Sequence, residues 1–321
     1  MNPATLWDNE RPTSLVELPA LARQMDIGRV FAKLENERPL GNFKALGGRV
    51  AVSRALAKHP SLPRLICASD GNHGLSVAAA AANAGAKATI YLPASANPIR
   101  AQRIESVGGE VRWINGTYDD AVTAAAAAAE QGEGLLIPDT SPDPNDPVVE
   151  DVMAGYGILA DELRIQLPVP PTHLFVQAGV GGLAAAMARS LHDFMSDPRR
   201  IAVVEPDSAA CVSAALTAGH PVLIPGTLHT SAEMLSCGLA SASAIQILKQ
   251  HNAHSILVTE DQLQSTPKLL LEAGGPLTTP SGATGLAGLL HAATDPTHRS
   301  HHHLTPTTTA LIIITEGPTA A

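Results

Sequence analysis

Aromatic residues, cysteines and clustered basic residues are all scarce in this chain. Only 3% of its 321 residues are Phe, Trp or Tyr, so the core must consist mainly of Ala, Val, Leu and Ile. Such a composition is typical of parallel sheets flanked by helices. The 21 basic side chains are outnumbered by 30 acidic ones and form no cluster, which argues against nucleic acid as a partner.

Long hydrophobic runs are also missing, and the three cysteines are widely spaced. No run approaches the roughly 18 apolar residues of a membrane span, and the early charges Asp8, Glu10 and Arg11 exclude an apolar signal core. Cys67, Cys211 and Cys237 show neither metal-type nor disulfide-type spacing, as expected in a reducing compartment. We therefore expect a cytoplasmic protein with no membrane partner.

Predicted strands and helices alternate along almost the whole chain. This pattern, over a length that suits about two domains, predicts an α/β fold with two doubly wound open sheets. The predicted strands are 29–34, 64–69, 89–93, 110–114, 135–138, 172–177, 201–205 and 310–314; the predicted helices are 46–58, 72–84, 98–107, 118–131, 149–163, 183–194 and 208–218; segments 255–259, 267–273 and 283–293 continue the alternation. Ligands of such sheets bind beyond the carboxyl ends of the strands.

The first candidate site is residues 41–48, GNFKALGG, where Lys44 stands between a polar turn and a helix start. The glycines let the backbone approach a ligand closely. A lysine buried beside a cofactor has a lowered amine pKa, which suits Schiff-base chemistry. The alternative is a solvent-facing lysine, although a cation is disfavoured at a helix N-terminus.

The second candidate follows the strand 64–69 and reads SDGNHG over residues 69–74. Asp70 offers a carboxylate, and Asn72 offers both a donor and an acceptor. Helix capping is the simpler interpretation of these polar residues. His73 by itself is more typical of a packing histidine than of a catalyst.

A glycine loop and a strand end supply the remaining candidates. The loop comprises Gly179, Val180, Gly181, Gly182 and Leu183 and has the form of a phosphate cradle at a helix N-terminus. It also resembles a dinucleotide fingerprint, but it comes late in the chain, and a lone glycine loop is weak support for that function. Thr315, after the last strand, would place a hydroxyl at the same sheet edge.

Histidines are concentrated between residues 295 and 309, notably His298 and His301 to His303. Metal binding is one interpretation. Clustered histidines in a polar loop are more often simply solvated, and no acidic or cysteine partner is evident nearby. We therefore predict no metal site.

Taken in order, the motifs resemble those of the fold-type II pyridoxal-phosphate (PLP) enzymes, the tryptophan synthase β superfamily. Within it, the chain is most similar to the diaminopropionate ammonia-lyases. The resemblance rests on RPTSL at 11–15, LPALA at 18–22, FKALGG at 43–48, DGNHG at 70–74, PDT at 138–140, GY at 155–156, the loop 179–183, VEP at 204–206 and TEG at 315–317.

The resemblance implies specific roles for these residues. Lys44 would carry PLP as a Schiff base and move the α-proton, with Phe43 beside it. Asn72 would bond the phenolic oxygen, the loop 179–183 would hold the phosphate, and Thr315 would face the pyridine nitrogen. Asp70 and Asp139 match acidic residues near the substrate's second amine, where an isolated carboxylate would have a raised pKa.

The implied activity is a PLP-dependent ammonia-lyase reaction. It would eliminate the β-substituent of 2,3-diaminopropionate or a similar small amino acid, releasing a 2-oxo acid and ammonia. Alternatives are a serine, threonine or hydroxyaspartate dehydratase, a β-replacement synthase, and a PLP-binding protein without turnover. Asn42, where many relatives have Ser or Thr, and Pro280-Ser281, where an acidic residue is common, leave the substrate open.

The resemblance also implies an organisation. Residues 1–49 and 149–321 would form a larger PLP-binding domain, and residues 50–148 a smaller mobile one that closes over the substrate. A homodimer is the assembly that the superfamily implies.

Overall fold

The computed structural model describes residue 7 and residues 11–59, 61, 64–69, 71–94 and 96–318. The strands are β1 (Leu15–Glu17), β2 (Arg29–Leu34), β3 (Leu65–Ala68), β4 (Ala88–Pro93), β5 (Glu110–Ile114), β6 (Leu135–Leu136), β7 (His173–Gln177), β8 (Ile201–Pro206), β9 (His254–Val258) and β10 (Thr309–Ile314). The helices are α1 (Pro19–Gln24), α2 (Lys44–Lys58), α3 (Asn72–Asn83), α4 (Pro98–Ser106), α5 (Tyr118–Glu130), α6 (Pro147–Gln166), α7 (Gly182–Leu191), α8 (Cys211–Ala218), α9 (Ala242–Gln250), α10 (Glu260–Glu272), α11 (Pro280–Ala292) and α12 (Pro296–His301).

The strands form two sheets, which confirms the predicted α/β class. The larger sheet has the order β1-β2-β10-β7-β8-β9, and the smaller has the order β5-β4-β3-β6. All pairs are parallel except β1 with β2. The strands of the larger sheet's centre are buried along their whole length, as expected for sheets covered on both faces.

The smaller sheet comes from one continuous stretch of chain, whereas the larger sheet combines the segments before and after it. The predicted boundaries, 49/50 and 148/149, fall inside α2 and α6. These two helices pack on each other through glycines: a Cβ on Gly155 would lie 2.5 Å from the carbonyl oxygen of Leu46. This close contact fixes the start of α2, and with it Lys44.

Several elements differ from the predicted ones. The short β1 and α1 and the helices α9 and α12 have no counterpart in the predicted alternation. The predicted segment 267–273 falls within α10 up to residue 272; that helix begins earlier, at Glu260, and contains Pro267. A capping box between Thr259 and Gln262 starts that helix. Among the helices that the structure describes, none is long and apolar enough to cross a membrane.

Candidate active site

A cleft of about 850 Å³, including its open mouth, lies beyond the carboxyl ends of strands from both sheets. Residues that follow β3, β6, β7 and β10 meet there, so the expectation from sheet topology is confirmed in geometry. The sequence-predicted residues on its wall are Phe43, Lys44, Asn72, Asp139, Gly179, Val180, Gly181, Gly182, Leu183 and Thr315. Asp70 lies outside the described residues.

Lys44 is the first residue of α2, and the turn before it is tied to the end of β10. The backbone N–H of Phe43 donates to the carbonyl oxygen of Thr315 at 3.0 Å, and Asn42 forms an isolated bridge with Glu316. The side chain of Asn42 closes the turn by accepting from the Lys44 N–H at 3.1 Å. Asn42 therefore fills a structural role in the turn before Lys44.

Lys44 and Asp139 form a partly buried ion pair inside the cleft, with 2.5 Å between Nζ and Oδ2. Burial acts to lower the pKa of Lys44, but the Asp139 carboxylate outweighs burial and holds that pKa well above its ordinary value. Burial acts to raise the pKa of Asp139, but Lys44 and His73 lower it to about 2. The predicted lowered lysine pKa and raised carboxyl pKa are therefore both wrong for this state, because each group neutralises the other.

The glycine loop, residues 179–183, lines the cleft. Its carbonyl groups are engaged elsewhere: Val180 accepts from the Ser241 N–H and Gly181 from the Ala185 N–H, both at 2.9 Å. In the described part of the chain, no backbone N–H of residues 179–183 donates to a backbone oxygen. Gly181 is in the left-handed region, with φ of 96°, and directly precedes α7. Free amides at a helix N-terminus are a binding site for an anion such as phosphate.

Asn72 begins α3 and is bonded across the cleft. Its Nδ2 donates to Oε2 of Glu316 at 2.5 Å. The other oxygen of Glu316 accepts from Thr279 Oγ1, also at 2.5 Å. Burial raises the pKa of this carboxyl. Glu316 is a site residue that sequence reasoning missed, although it lies in the TEG motif at 315–317.

His73 and Tyr156 lie behind Lys44. The Nε2–H of His73 donates to the Ile137 carbonyl at 2.9 Å, and burial lowers the pKa of its ring, as for a packing histidine. The ring of Tyr156 packs against that of Phe43 in a tilted arrangement, with 5.0 Å between the ring centroids, and burial raises the pKa of its phenol to about 12. Tyr156 is part of the GY motif, which gave no indication of its position in the site.

Thr315 faces the cleft at the end of β10, next to Gln177 at the end of β7. Nε2 of Gln177 donates to Oγ1 of Thr315 at 2.9 Å. Both residues are buried, at 2% and 4% exposure. Gln177 begins the sequence motif that contains the glycine loop, but sequence reasoning assigned it no role.

Two other sequence features lie away from this chemistry. Glu205 accepts from the N–H groups of Val212 and Ser213 and so caps α8. The histidines stack in pairs, such as His254 on His302, and no group of three or more metal-ligating residues comes together in the described ranges.

The cleft fits a cofactor that carries both a phosphate and an amine-reactive carbonyl. The free amides of the loop suit the phosphate, and Lys44 is the amine within the same cavity.

Comparison with known proteins points to the same cofactor. The family described as pyridoxal-phosphate dependent enzyme matches residues 6–316. Diaminopropionate ammonia-lyase of Salmonella typhimurium is 31% identical over 97% of this chain and 86% of its own length. The L-threonine dehydratase of Escherichia coli is 31% identical over 89% of this chain, which spans only 53% of that protein.

Solved structures agree. The crystal structure of Escherichia coli diaminopropionate ammonia-lyase with an aminoacrylate–PLP azomethine superposes with a TM-score of 0.88. That match has 29% identity and covers 99% of this chain and 87% of the other. The family match extends over nearly the whole chain and includes every site residue described above. The chain therefore belongs to the pyridoxal-phosphate-dependent enzymes of fold type II, and its cofactor is PLP.

Proposed function

We propose that this PLP-dependent lyase eliminates ammonia from 2,3-diaminopropionate or a similar small β-substituted amino acid, releasing a 2-oxo acid and ammonia. The observation that carries the proposal is the partly buried ion pair of Lys44 and Asp139, 2.5 Å apart in the cleft. A carboxylate beside the reactive lysine suits a substrate whose leaving group is itself an ammonium, because the two charges attract at short range in a poorly solvated site. A hydroxyl leaving group has no such charge.

The proposed roles follow the positions of the side chains. Lys44 attaches the cofactor and exchanges the α-proton, while Phe43 packs beside it and residues 179–183 bind the phosphate through their amides. Asn72 bonds the phenolic oxygen, and Thr315 faces the pyridine nitrogen. When bound, PLP supplies an electron sink for the charge left on the α-carbon.

Asp139 is suited to two tasks, depending on the charge of Lys44. While Lys44 is cationic, it keeps the pKa of Asp139 near 2, so the carboxylate stays ionised and binds a cation. Once the Lys44 amine is uncharged, burial is left to raise that pKa towards the range useful for proton transfer. We propose that Asp70, one residue before the cleft-lining Gly71, is the second carboxylate near the substrate's second amine.

A hydroxy-amino-acid dehydratase is the second candidate. It is supported by the 31% identity to L-threonine dehydratases. A β-replacement synthase has no specific observation in its favour, and the intact Lys44 argues against a PLP-binding protein without turnover.

The test is pyruvate release by the purified protein with PLP. The substrates are D- and L-2,3-diaminopropionate, with D- and L-serine as matched controls that give the same 2-oxo acid from a different leaving group. We expect the diamino acid to be turned over at least tenfold faster than serine. Release of pyruvate from serine, 2-oxobutyrate from threonine or oxaloacetate from 3-hydroxyaspartate, without turnover of the diamino acid, would replace the proposal by the dehydratase.

Asp139→Asn separates the two activities further. It retains the shape of the side chain but removes its charge, so the rate with the diamino acid should fall far more than any rate with a hydroxy acid. Asp70→Asn should act in the same direction. Equal losses of rate with both substrate classes would mean that these carboxylates only support the structure of the site.

We also propose that the segments carrying the two sheets act as two domains that close over the substrate. Contacts across the cleft support this division: Arg100 of α4 pairs with Glu233, and Arg103 donates to the Leu40 carbonyl at 2.9 Å. The homodimer and the cytoplasmic location remain predictions.

A further inference from the structure

We propose that Gln177 is a positioning residue that fixes the Thr315 hydroxyl as a hydrogen-bond donor towards the pyridine nitrogen of PLP. The inference rests on the role given to Thr315 in the proposed function. It adds a residue that acts through Thr315 and sets the direction of its hydrogen bond.

The direction follows from the chemistry of the two groups. An amide nitrogen can only donate, so in the 2.9 Å contact between Gln177 Nε2 and Thr315 Oγ1 the threonine oxygen is the acceptor. Thr315 thereby keeps its own hydroxyl hydrogen. No described residue accepts that hydrogen in the structure, and the side chain lines the cleft. The hydrogen is left for an acceptor inside the cleft.

The orientation of the Gln177 amide is fixed by its surroundings. Besides Thr315, its Nε2 faces the carbonyl oxygens of Ser281 at 3.1 Å, Gly282 at 2.9 Å and Ile313 at 3.1 Å. If the amide were flipped, Oε1 would face these four oxygen atoms, and the three carbonyl oxygens among them cannot donate a hydrogen bond to it. Nε2 has two hydrogens to share among four acceptors, and the amide is held at the junction of β7, β10 and α11.

The oxygen of the Gln177 amide indicates that this side chain does more than fill space. Oε1 of Gln177 is buried and has no hydrogen-bond partner among the described residues. A buried polar atom without a partner is destabilising, and an apolar side chain of the same length would avoid it. The presence of an amide at position 177 is therefore explained by the hydrogen bonds that its Nε2 donates, including the one to Thr315.

A donor at Thr315 requires the pyridine nitrogen to be an unprotonated acceptor. A protonated nitrogen would have to use the second lone pair of the threonine oxygen, and the Thr315 hydroxyl hydrogen would then have no acceptor among the described residues. The Gln177–Thr315 pair thus favours the neutral ring, which is the less electron-withdrawing form of the cofactor.

The experiment measures cofactor binding in the absence of substrate. Apoproteins with Gln177→Met, Thr315→Val, both changes, or the hydroxyl-preserving Thr315→Ser are titrated with PLP, and Kd is read from visible absorbance. Gln177→Met and Thr315→Val should each raise Kd about three- to tenfold, the range of one hydrogen bond. The double variant should match Thr315→Val, and Thr315→Ser should resemble the wild type.

An unchanged Kd for Gln177→Met, or additive effects in the double variant, would overturn the inference. A second measurement needs no variant: the ¹⁵N chemical shift of the pyridine nitrogen in the wild-type holoprotein, loaded with labelled PLP. The shift of a hydrogen-bonded, unprotonated nitrogen is expected, and that of a pyridinium would refute the proposal. Because neither readout uses a substrate, failure of the diaminopropionate assay leaves this result unaffected.

Discussion

Nζ of Lys44 lies 2.5 Å from Oδ2 of Asp139, although the two residues are 95 positions apart. Lys44 begins α2, and Asp139 follows β6 of the smaller sheet. The pair cancels a cation that the helix N-terminus would otherwise disfavour. It also places the reactive amine and a carboxylate together in one partly buried cleft. The two predictions that follow, for Lys44 and for Asp139, therefore concern the same contact.

Lys44→Ala should abolish covalent attachment of PLP. The holoprotein would be treated with borohydride, digested and mapped by mass spectrometry; in the wild type, the reduced cofactor should be found on the peptide with Lys44. Lys87→Ala, at an exposed lysine, is the matched control and should retain full labelling. Reduced cofactor at another lysine of the Lys44→Ala protein would refute the assignment.

Asp139 should make the stability of the apoprotein depend on pH in the acid range. Its pKa is about 2 in the folded protein and 3.8 ordinarily, so the folded state favours the ionised form. The contribution, about 2 kcal/mol, is present above pH 4 and lost as the pH falls towards 2.

The measurement is urea unfolding of the wild-type and Asp139→Asn apoproteins from pH 5 to pH 2. The difference in the free energy of unfolding between the two proteins should shrink over this interval. A difference independent of pH would show that the ion pair does not form in solution.

The sequence predicts local features of this fold well and distant contacts poorly. The glycine loop before α7 and Lys44 at the start of α2 are recognisable because their signals lie within a few neighbouring residues. The short β1 and the helix α9 escape detection, because tertiary packing stabilises short elements more than their own pattern does. Pro267 obscures α10, whose start is set by the capping box at Thr259.

The same distinction holds within the site. The pKa values of Lys44 and Asp139 are shifted in the directions opposite to those expected for isolated buried groups. The sequence-based expectation could not include the contact between them. Likewise, Glu316 and Asn72 are 244 positions apart and meet only in the folded chain. Residue types at strand ends could be predicted from sequence, but their partners could not.

Gly181→Ala should weaken PLP binding. A Cβ there would lie 3.2 Å from Cβ of Ala244 and 3.3 Å from Cγ2 of Val212, and the residue has a φ of 96°. Alanine at such an angle is strained by about 1–2 kcal/mol, and relief of that strain would turn the loop amides away from the phosphate. We expect the Kd for PLP to rise at least tenfold in an absorbance titration.

Gly274→Ala is the matched control for backbone strain. Gly274 has a similar φ of 88°, nothing lies within 4 Å of its Cβ position, and it is not among the residues that line the cleft. It should lose comparable stability while binding PLP normally. If the two variants bound PLP equally well, the loop 179–183 would not be the phosphate site.

Glu162→Ala should be the most destabilising of these substitutions. Glu162 of α6 accepts from Nζ of Lys33 at 2.6 Å and from Arg38 at 2.5 Å, and both cations are almost fully buried. Removing the carboxylate leaves buried positive charge uncompensated, for which about 3–5 kcal/mol is typical. Because Lys33 is in β2, this change would also loosen α6 from the larger sheet.

Asp161→Ala, at the exposed neighbouring position of the same helix, should change the free energy of unfolding by less than about 0.5 kcal/mol. Equal effects of the two substitutions in urea unfolding at pH 7 would mean that helix propensity, and not the buried charges, determines the contribution of α6.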